Sequence, residues 1–392
     1  SNNNFFGTLA GKSTTTADFN CAFGQEALEA NSTGAYNVAM GYLALTTNTT
    51  GSYNIALGYG CLAMNTTGQR NIAIGDRAGY DITTGEYNMA IGYASLFKIT
   101  DASHNVAIGA DALHNATTAT YNVAVGNSAL LGVTTGGSCT AVGYKAGYSN
   151  STSGQNTFVG YRAGQDANAA DVTYIGFDSG LHATGSSNTC LGHRTLDAAS
   201  CVGSNNTAIG RECLGKLTTG ANNTCVGYFA GRETIGGDNN LTLGYAAYSS
   251  GSTASNEVTL GNSSISAIRC QVQTISSLSD ERDKTDIVDL PVGLNFVNKL
   301  RPVKFKWNMR DAESDNPHQG TERGGFIAQE LQVVQEETDA AFMNLVYESN
   351  PDKLEATYGN LIPTMVQAIK ELSTKNDALA AEVASLKSQI NN

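Results

Sequence analysis

Large apolar residues recur at a nearly fixed distance over the first two-thirds of the chain, and each is followed by a glycine. These sixteen marker glycines lie 17 residues apart, except for intervals of 16, 16 and 18 residues between Gly160 and Gly210. A fixed period of this length predicts a solenoid of stacked coils. The marker glycines are Gly7, Gly24, Gly41, Gly58, Gly75, Gly92, Gly109, Gly126, Gly143, Gly160, Gly176, Gly192, Gly210, Gly227, Gly244 and Gly261.

Each unit also contains a short alternation of large and small residues. A second apolar residue, such as Val38 or Ile55, lies two positions before the large one, and the residue between them is usually Ala. Period two predicts a short strand whose large residues face a core. The small residue in the strand, with another one three positions after the marker glycine, predicts a tight coil. We expect its small-residue face to let three such coils meet closely.

Polar positions are equally regular. Asn lies four residues before the marker glycine in thirteen of the sixteen units, and Cys139, Val172 and Glu257 replace it in the others. Asparagines stacked in this way predict a ladder of hydrogen bonds along the solenoid. A second glycine seven residues before the marker, as at Gly51 and Gly68, predicts a turn with positive φ.

Tyrosine follows the marker glycine in many units, among them Tyr42, Tyr59 and Tyr93. One interpretation is a stack of rings that seals the coil, and the other is a surface on which sugars stack. The Thr-rich turns lie at bends rather than on a flat strand, which disfavours an ice-binding face.

Composition changes sharply after residue 278. All five prolines and the single Trp lie after it, whereas all eight cysteines and 38 of the 43 glycines lie before it. We therefore predict a rod of sixteen repeats over 1–262, an extended connector over 263–278 and a separate domain over 279–392.

The net charge of −12 is spread without a basic stripe, which argues against nucleic acid as the main partner. No apolar run is long enough to cross a membrane, and we expect no signal peptide at the start. The cysteines have no partners at zinc-site spacing, so we predict free, buried thiols, with no metal and no cofactor.

The last part of the chain has helical periodicity. Apolar residues alternate spacings of four and three, which predicts a self-associating coiled coil over 362–390 with one polar Asn that specifies register. The alternative is an amphipathic helix that packs against its own domain. The seam consists of Met365, Ile369, Leu372, Asn376, Leu379, Val383, Leu386 and Ile390.

The Asn-Val-Ala-Ile-Gly sequence at Asn105–Gly109 resembles the head repeat of trimeric autotransporter adhesins. This resemblance covers about the first 260 residues. It implies a β-roll, a form of β-solenoid, of which three copies pack side by side. The fold class expected for the chain is therefore mostly β: a trimeric β-solenoid followed by a small α/β domain that ends in the coiled-coil helix.

The segment Ser279–Ile287 resembles the start of the auto-processing intramolecular chaperone of endosialidase-type phage tailspikes and tail fibres. Leu294–Trp307 and Gly325–Leu331 extend the resemblance. It implies a Ser–Lys dyad of Ser279 and Lys284 that cuts the Leu278–Ser279 bond. A lysine can activate a serine when it is neutral. A spacing of five does not suit one face of an α-helix, so we expect a turn. The alternative is that Ser279 only caps a helix.

These resemblances predict a trimeric tail fibre or tailspike, assembled in the host cytoplasm and located in the virion tail. Its expected partners are a bacterial surface receptor, such as a glycan or an outer-membrane component, and other tail proteins bound through a preceding part of the protein. The only enzymatic activity expected is serine endopeptidase cleavage of its own chain. The alternatives are a bacterial surface adhesin and a polysaccharide-degrading spike, which would need a pair of carboxylates in a groove.

Overall fold

The computed structural model describes residues 2–269, 271, 279–308 and 319–390. The chain divides into two compact units, residues 1–262 and 263–392. Most of the second half of the predicted connector, including Leu278, lies outside the described residues.

The first unit is a β-solenoid of sixteen coils, and coil n contributes strand βn to one parallel sheet. Each strand ends at the residue before a marker glycine and pairs with the strand of the next coil, so that Val38 lies opposite Ile55. The predicted solenoid is confirmed. The strands are Asn4–Phe6, Cys21–Phe23, Val38–Met40, Ile55–Leu57, Ile72–Ile74, Met89–Ile91, Val106–Ile108, Val123–Val125, Thr140–Val142, Thr157–Val159, Thr173–Ile175, Thr189–Leu191, Thr207–Ile209, Thr224–Val226, Leu241–Leu243 and Val258–Leu260.

The strands face the opposite way from the prediction. The small central residue, such as Ala39, is fully buried, whereas the large residue beside it, Met40, is 46% exposed. The interior holds this alanine row, the small residue after the next bend, such as Ala44, and a leucine row that includes Leu45. The large strand residues therefore do not form the core. The small-residue face is buried inside the solenoid, so it is not available to another copy of the chain.

The interior is too narrow for two large rows, which explains this orientation. Phe158 and Tyr174 are large central residues, and at the leucine position beside each of them the chain has Gly. A Cβ added to Gly164 would lie 2.3 Å from the Phe158 ring, and one added to Gly180 would lie 2.5 Å from the Tyr174 ring. The described cysteines are free thiols and all but Cys21 are buried, as predicted.

The marker glycines are required for two reasons. Gly41 has φ of +139°, which L residues rarely adopt, and a Cβ on it would lie 2.3 Å from the carbonyl oxygen of Gly58 in the next coil. The second glycine does not have positive φ, so that prediction is wrong. Close packing explains it instead, because a Cβ on Gly51 would lie 2.4 Å from Asn48 Oδ1 and 2.4 Å from the carbonyl oxygen of Gly68.

Side-chain hydrogen bonds join the coils in two long ladders and in shorter ones. Asn37 Oδ1 accepts the backbone N–H of Asn54 at 2.9 Å, and its Nδ2 donates to the carbonyl oxygen of Gly51 at 2.8 Å. This pattern recurs along the solenoid and confirms the asparagine ladder. In the Thr-rich turns a hydroxyl donates to a carbonyl of the next coil, as from Thr49 to Thr66 at 3.0 Å. The threonines therefore help to join the stack.

The described part of the second unit contains three α-helices and two small antiparallel sheets. None of these helices is long and apolar enough to cross a lipid bilayer. The helices are α1 (Leu294–Lys299), α2 (Ala328–Glu337) and α3 (Ile362–Ile390). The sheets pair β17 (Val303–Lys306) with β18 (Glu322–Gly325) and β19 (Val346–Tyr347) with β20 (Glu355–Ala356). Single turns of 3-10 helix occur at Glu281–Asp283, Ala341–Met343 and Tyr358–Leu361. The core contains Val292, Phe296, Val334, Ala340, Met343, Leu345 and Leu361.

Candidate functional site

The residues of the predicted dyad lie on either side of one tight turn. The 3-10 helix Glu281–Asp283 separates them, and Lys284 follows it with extended backbone. The turn brings the Lys284 side chain back, so that Nζ donates to Ser279 Oγ at 2.7 Å and to the Ser279 carbonyl oxygen at 3.2 Å. The two side chains are therefore in the direct contact that a serine nucleophile and its base require.

Asp280 and Arg282 form a second pair beside the first. The Asp280 carboxylate accepts the backbone N–H of Arg282 at 2.9 Å and its Nε–H at 3.0 Å. Hydrogen bonding from the Arg282 side chain lowers the pKa of Asp280. Asp280 is the residue that caps the turn, so the alternative in which Ser279 is only a cap is wrong.

Both members of the dyad are exposed on the single chain. A lysine accepts a proton only when it is neutral, and burial is what favours the neutral form. One chain thus supplies the contact between Ser279 and Lys284, but its described residues do not enclose the pair. Leu278, whose carbonyl would be attacked, lies outside the described residues.

Helix α3 has one packed face and one exposed face. Ala368 is buried, and Glu371 accepts the backbone N–H of Leu294 at 2.9 Å, so this side packs on its own unit. The apolar seam is exposed along its length, from Met365 at 51% to Leu379 at 58% and beyond. Helix α3 therefore packs against its own unit through this side, as in the alternative, but the seam takes no part in that packing. The seam is an unpaired apolar stripe on the single chain.

The outward residues of β1–β16 form a second apolar surface, which we call the strand face. In β3–β8 both outward residues are apolar, as in Ile72 and Ile74. In β9–β14 the first outward residue is Thr, as in Thr140 and Thr224. An extended apolar surface of this kind is typical of an interaction site.

A row of stacked side chains borders the strand face at the pre-strand position, five residues before each marker glycine. We call its part in coils 2–8 the aromatic ladder. Ring centroids of neighbouring members lie 4.9 Å apart at Phe19 and Tyr36, and the Arg70 guanidinium lies 5.6 and 5.2 Å from the rings on either side of it. The ladder consists of Phe19, Tyr36, Tyr53, Arg70, Tyr87, His104 and Tyr121.

The fold does not require aromatic residues in this row. All seven ladder residues have left-handed backbone, with φ between 57° and 63°. Bulky residues rarely adopt this conformation, whereas Asn and Asp tolerate it. In coils 9–16 the same position has the same backbone with Ser, Gln, Asp or Asn, as at Asn205 and Asn222. The sequence shows this ladder only when the residue five before each marker glycine is compared across coils.

The post-strand row, one residue after each marker glycine, borders the other edge of the strand face. Tyr144, Tyr161 and Phe177 stack with centroids 5.2 and 5.1 Å apart, which confirms the predicted stacking. They do not seal the coil, because Tyr144 is 41% and Phe177 44% exposed. Where rings cover each other's faces, mainly their edges remain for a ligand, which disfavours the sugar-stacking interpretation within such stacks.

Two aspartates of the solenoid are nearly inaccessible. Arg162 donates to both oxygens of Asp178, at 2.8 and 2.6 Å, and Arg194 Nε donates to Asp197 at 2.8 Å. Burial raises the pKa of Asp197. A catalytic acid must come within hydrogen-bond distance of its substrate, and these side chains are only 6% and 7% exposed. The arrangement favours a structural role for both.

Residues 279–339 match a protein-family model described as the chaperone of endosialidase. The match begins at Ser279 and includes Lys284, α1, β17, β18 and α2. No curated protein matches the chain. The chain therefore has an endosialidase-type chaperone segment after its β-solenoid, and a segment of this type implies trimer assembly.

Proposed function

We propose that the chain belongs to a trimeric phage tail fibre or tailspike in which residues 279–392 align three copies and then separate from the solenoid by cutting the Leu278–Ser279 bond. The family match, the exposed seam of α3 and the exposed strand face support assembly. The observation that carries the cleavage is the 2.7 Å hydrogen bond between Lys284 Nζ and Ser279 Oγ at the first residue of the matched segment.

The proposed reaction uses the chain's own atoms and one water. Neutral Lys284 takes the proton from Ser279 Oγ as that oxygen attacks the Leu278 carbonyl carbon. The Leu278–Ser279 C–N bond breaks, and the proton passes from Lys284 to the new amino group of Ser279. Leu278 is then held as an ester on Ser279 Oγ. Water hydrolyses the ester, leaving a carboxylate on Leu278 and the free hydroxyl on Ser279.

Assembly would enclose the dyad, which the described residues of the single chain leave exposed. Packing of neighbouring copies around the exposed dyad would exclude water and favour a neutral Lys284. Cleavage would then follow alignment rather than precede it. Loss of the aligning element makes the assembled state kinetically trapped, because an unfolded solenoid has no means of realigning. In the tail, the solenoid would be the part that meets the host receptor.

Intact-mass measurement tests this proposal. The full chain of 40.9 kDa is expected to give two pieces, of residues 1–278 and 279–392, once it is trimeric by light scattering. Ser279→Ala and Lys284→Met are each expected to reduce cleavage by more than about 100-fold, since each removes half of a dyad that acts as a unit.

Ser266→Ala, at an exposed serine that precedes the proposed cleavage point, is the matched control and should be cut like the wild type. A wild-type trimer that keeps its full mass contradicts self-cleavage. A cut Ser279→Ala trimer contradicts the assigned nucleophile. A wild-type chain that stays monomeric contradicts the assembly role.

A further inference from the structure

We infer that neighbouring copies meet along the two edges of the strand face: the aromatic ladder of one chain packs against the post-strand row of the next, and Arg70 pairs with Asp76 of the neighbouring copy. This inference rests on the trimer proposed above. It goes beyond that trimer because it states which edges meet and in what register.

Symmetry requires two different edges to meet. In a threefold assembly each contact is heterologous, so one surface patch of a copy meets a different patch of the next copy. The aromatic ladder precedes the strands and the post-strand row follows them, so these rows lie on opposite edges of the strand face. When three parallel strand faces surround an axis, the ladder edge of each chain adjoins the post-strand edge of its neighbour.

The boundaries of the ladder connect it with the strand face. The aromatic ladder occupies coils 2–8, and strands with two apolar outward residues form one unbroken run over β3–β8. Such strands return only at β15 and β16, where the pre-strand residues are Asn. Both rows become polar at coil 9, at Ser138 and Thr140. Two neighbouring rows that change together belong to one surface, and the same second copy would cover both.

The chemistry of the ladder suits a protein surface. Tyrosine and arginine are enriched among residues that dominate protein–protein binding. The ladder keeps these side chains on left-handed backbone that Asn would occupy more readily, and the rings remain exposed, as for Tyr121 at 62%. Their placement therefore stabilises a contact outside the single chain.

The charges specify the register. Arg70 is the only Lys or Arg among the sixteen pre-strand residues, and Asp76 is the only acidic residue among the sixteen post-strand residues. Both are exposed and both belong to coil 5. Within one chain, Arg70 also donates to Tyr87 Oη at 2.8 Å, and Arg77 Nε lies 3.6 Å from Asp76. Copies aligned in register place coil 5 beside coil 5, so the single cation of one edge adjoins the single anion of the other. Asp171 is the only acidic pre-strand residue, and the post-strand residue of the same coil is the uncharged Phe177. Coil 5 is therefore the only coil with opposite charges at its two edge positions.

Disulfide trapping tests the contact. In the double variant Arg70→Cys/Asp76→Cys the two cysteines of one chain are separated by a strand and its flanking residues, about 10 Å or more at roughly 3.3 Å per residue. A disulfide needs Cα atoms within about 7 Å. Copper-catalysed air oxidation, in which oxygen takes the two electrons and two protons of each thiol pair, is therefore expected to link different chains. Covalent trimers should appear on a non-reducing denaturing gel at least tenfold above the background of either single variant.

The parent chain without added cysteines, which keeps half-buried Cys21, is the control for native thiols. Cross-linked Arg70→Cys alone would show like edges meeting and would overturn the inference. A double variant that is trimeric by light scattering yet forms no covalent trimer would overturn the edge contact while leaving trimer assembly intact. A wild-type monomer would overturn both.

Charge exchange gives an independent readout on folded trimers. Arg70→Asp and Asp76→Arg are each expected to lower the melting midpoint of the trimer, and the combined variant is expected to recover at least half of the summed loss. Strictly additive losses would contradict the pairing. Asp101→Arg, at an exposed turn away from the strand face, is the matched control for a change of charge.

Discussion

The solenoid and the C-terminal unit present apolar surfaces of different kinds. The strand face repeats the same two-residue pattern from coil to coil, whereas the seam of α3 occurs once and contains one polar residue, Asn376. Coils about 4.8 Å apart can shift by one against another copy and still place apolar residues opposite one another. A heptad seam with a single Asn specifies one register.

This difference explains why the two units belong on one chain. The solenoid supplies a long surface but only a few marks of position, such as Arg70 and Asp76. In the proposed trimer, the seam would supply an unambiguous alignment over a short distance. Alignment by α3 would place coil 5 of each chain beside coil 5 of the next before the strand faces pack together. Arg70 and Asp76 would then pair only at a late stage, between chains that are already in register.

The largest expected effect is that of removing the aligning unit. A chain that ends at residue 278 should yield little soluble, trimeric solenoid, because its strand faces remain exposed and pair out of register. Sedimentation and light scattering of the truncated chain, compared with the full chain at equal expression, measure this.

The matched control is full-length Ser279→Ala, which keeps the aligning unit attached. It should form trimers at the wild-type yield. A truncated chain that gives ordered, soluble trimers at that same yield would show that the solenoid finds its own register.

The next effect concerns the repeat itself. Gly109→Ala places a Cβ 2.5 Å from the carbonyl oxygen of Gly126 and on a backbone with φ of +132°. Strain and overpacking together are expected to destabilise the fold by about 2–5 kcal/mol. Calorimetric melting of the trimer measures the loss, and Gly251→Ala, with nothing within 4 Å of the added Cβ, should melt near the wild type. Equal melting of the two variants would contradict the packing argument.

Local spacing predicted the solenoid and its sixteen strands. The pairing of Ser279 with Lys284 was implied by the resemblance to the endosialidase-type chaperone, and the structure places the two side chains in contact. The sequence predicted the wrong face for the strand core. Alternation identifies two faces, but only the width of the coil decides that Ala39 rather than Met40 fits inside. The role of Gly51 was missed for a similar reason. A side chain is excluded there by the close approach of Gly68 in the next coil, not by the φ of Gly51 itself. The exposed seam was predictable because heptad spacing is itself a property of one helix.

A smaller effect is expected from one step of the asparagine ladder. Asn105 Oδ1 accepts the backbone N–H of Asn122 at 3.1 Å, and its Nδ2 donates to the Ala119 carbonyl oxygen at 2.9 Å. Asn105→Ala leaves both groups without these partners in a buried place, which should destabilise the fold by about 1–3 kcal/mol. Exposed Thr118→Ala, in a Thr-rich turn away from the strand face, is the control. Thermal melting that ranks the control as the more damaging change would contradict a structural role for the ladder.

The smallest expected effect is a gain in the stability of the trimer. Cys139 interrupts the ladder because its side chain has no carbonyl oxygen that could accept the backbone N–H of Asn156 in the next coil. Asn54 and Asn65 occupy the positions of Cys139 and Asn150 five coils earlier, so the interior accommodates two asparagines there. Cys139→Asn should therefore restore the ladder and stabilise the trimer by about 1 kcal/mol, seen as a higher melting midpoint. A lower midpoint would mean that the thiol's place beside Asn150, with Nδ2 to Sγ at 3.7 Å, is adapted to cysteine. The residue at each position of the ladder would then depend on its neighbours in that coil, and Asn would not be the most stabilising residue in every coil.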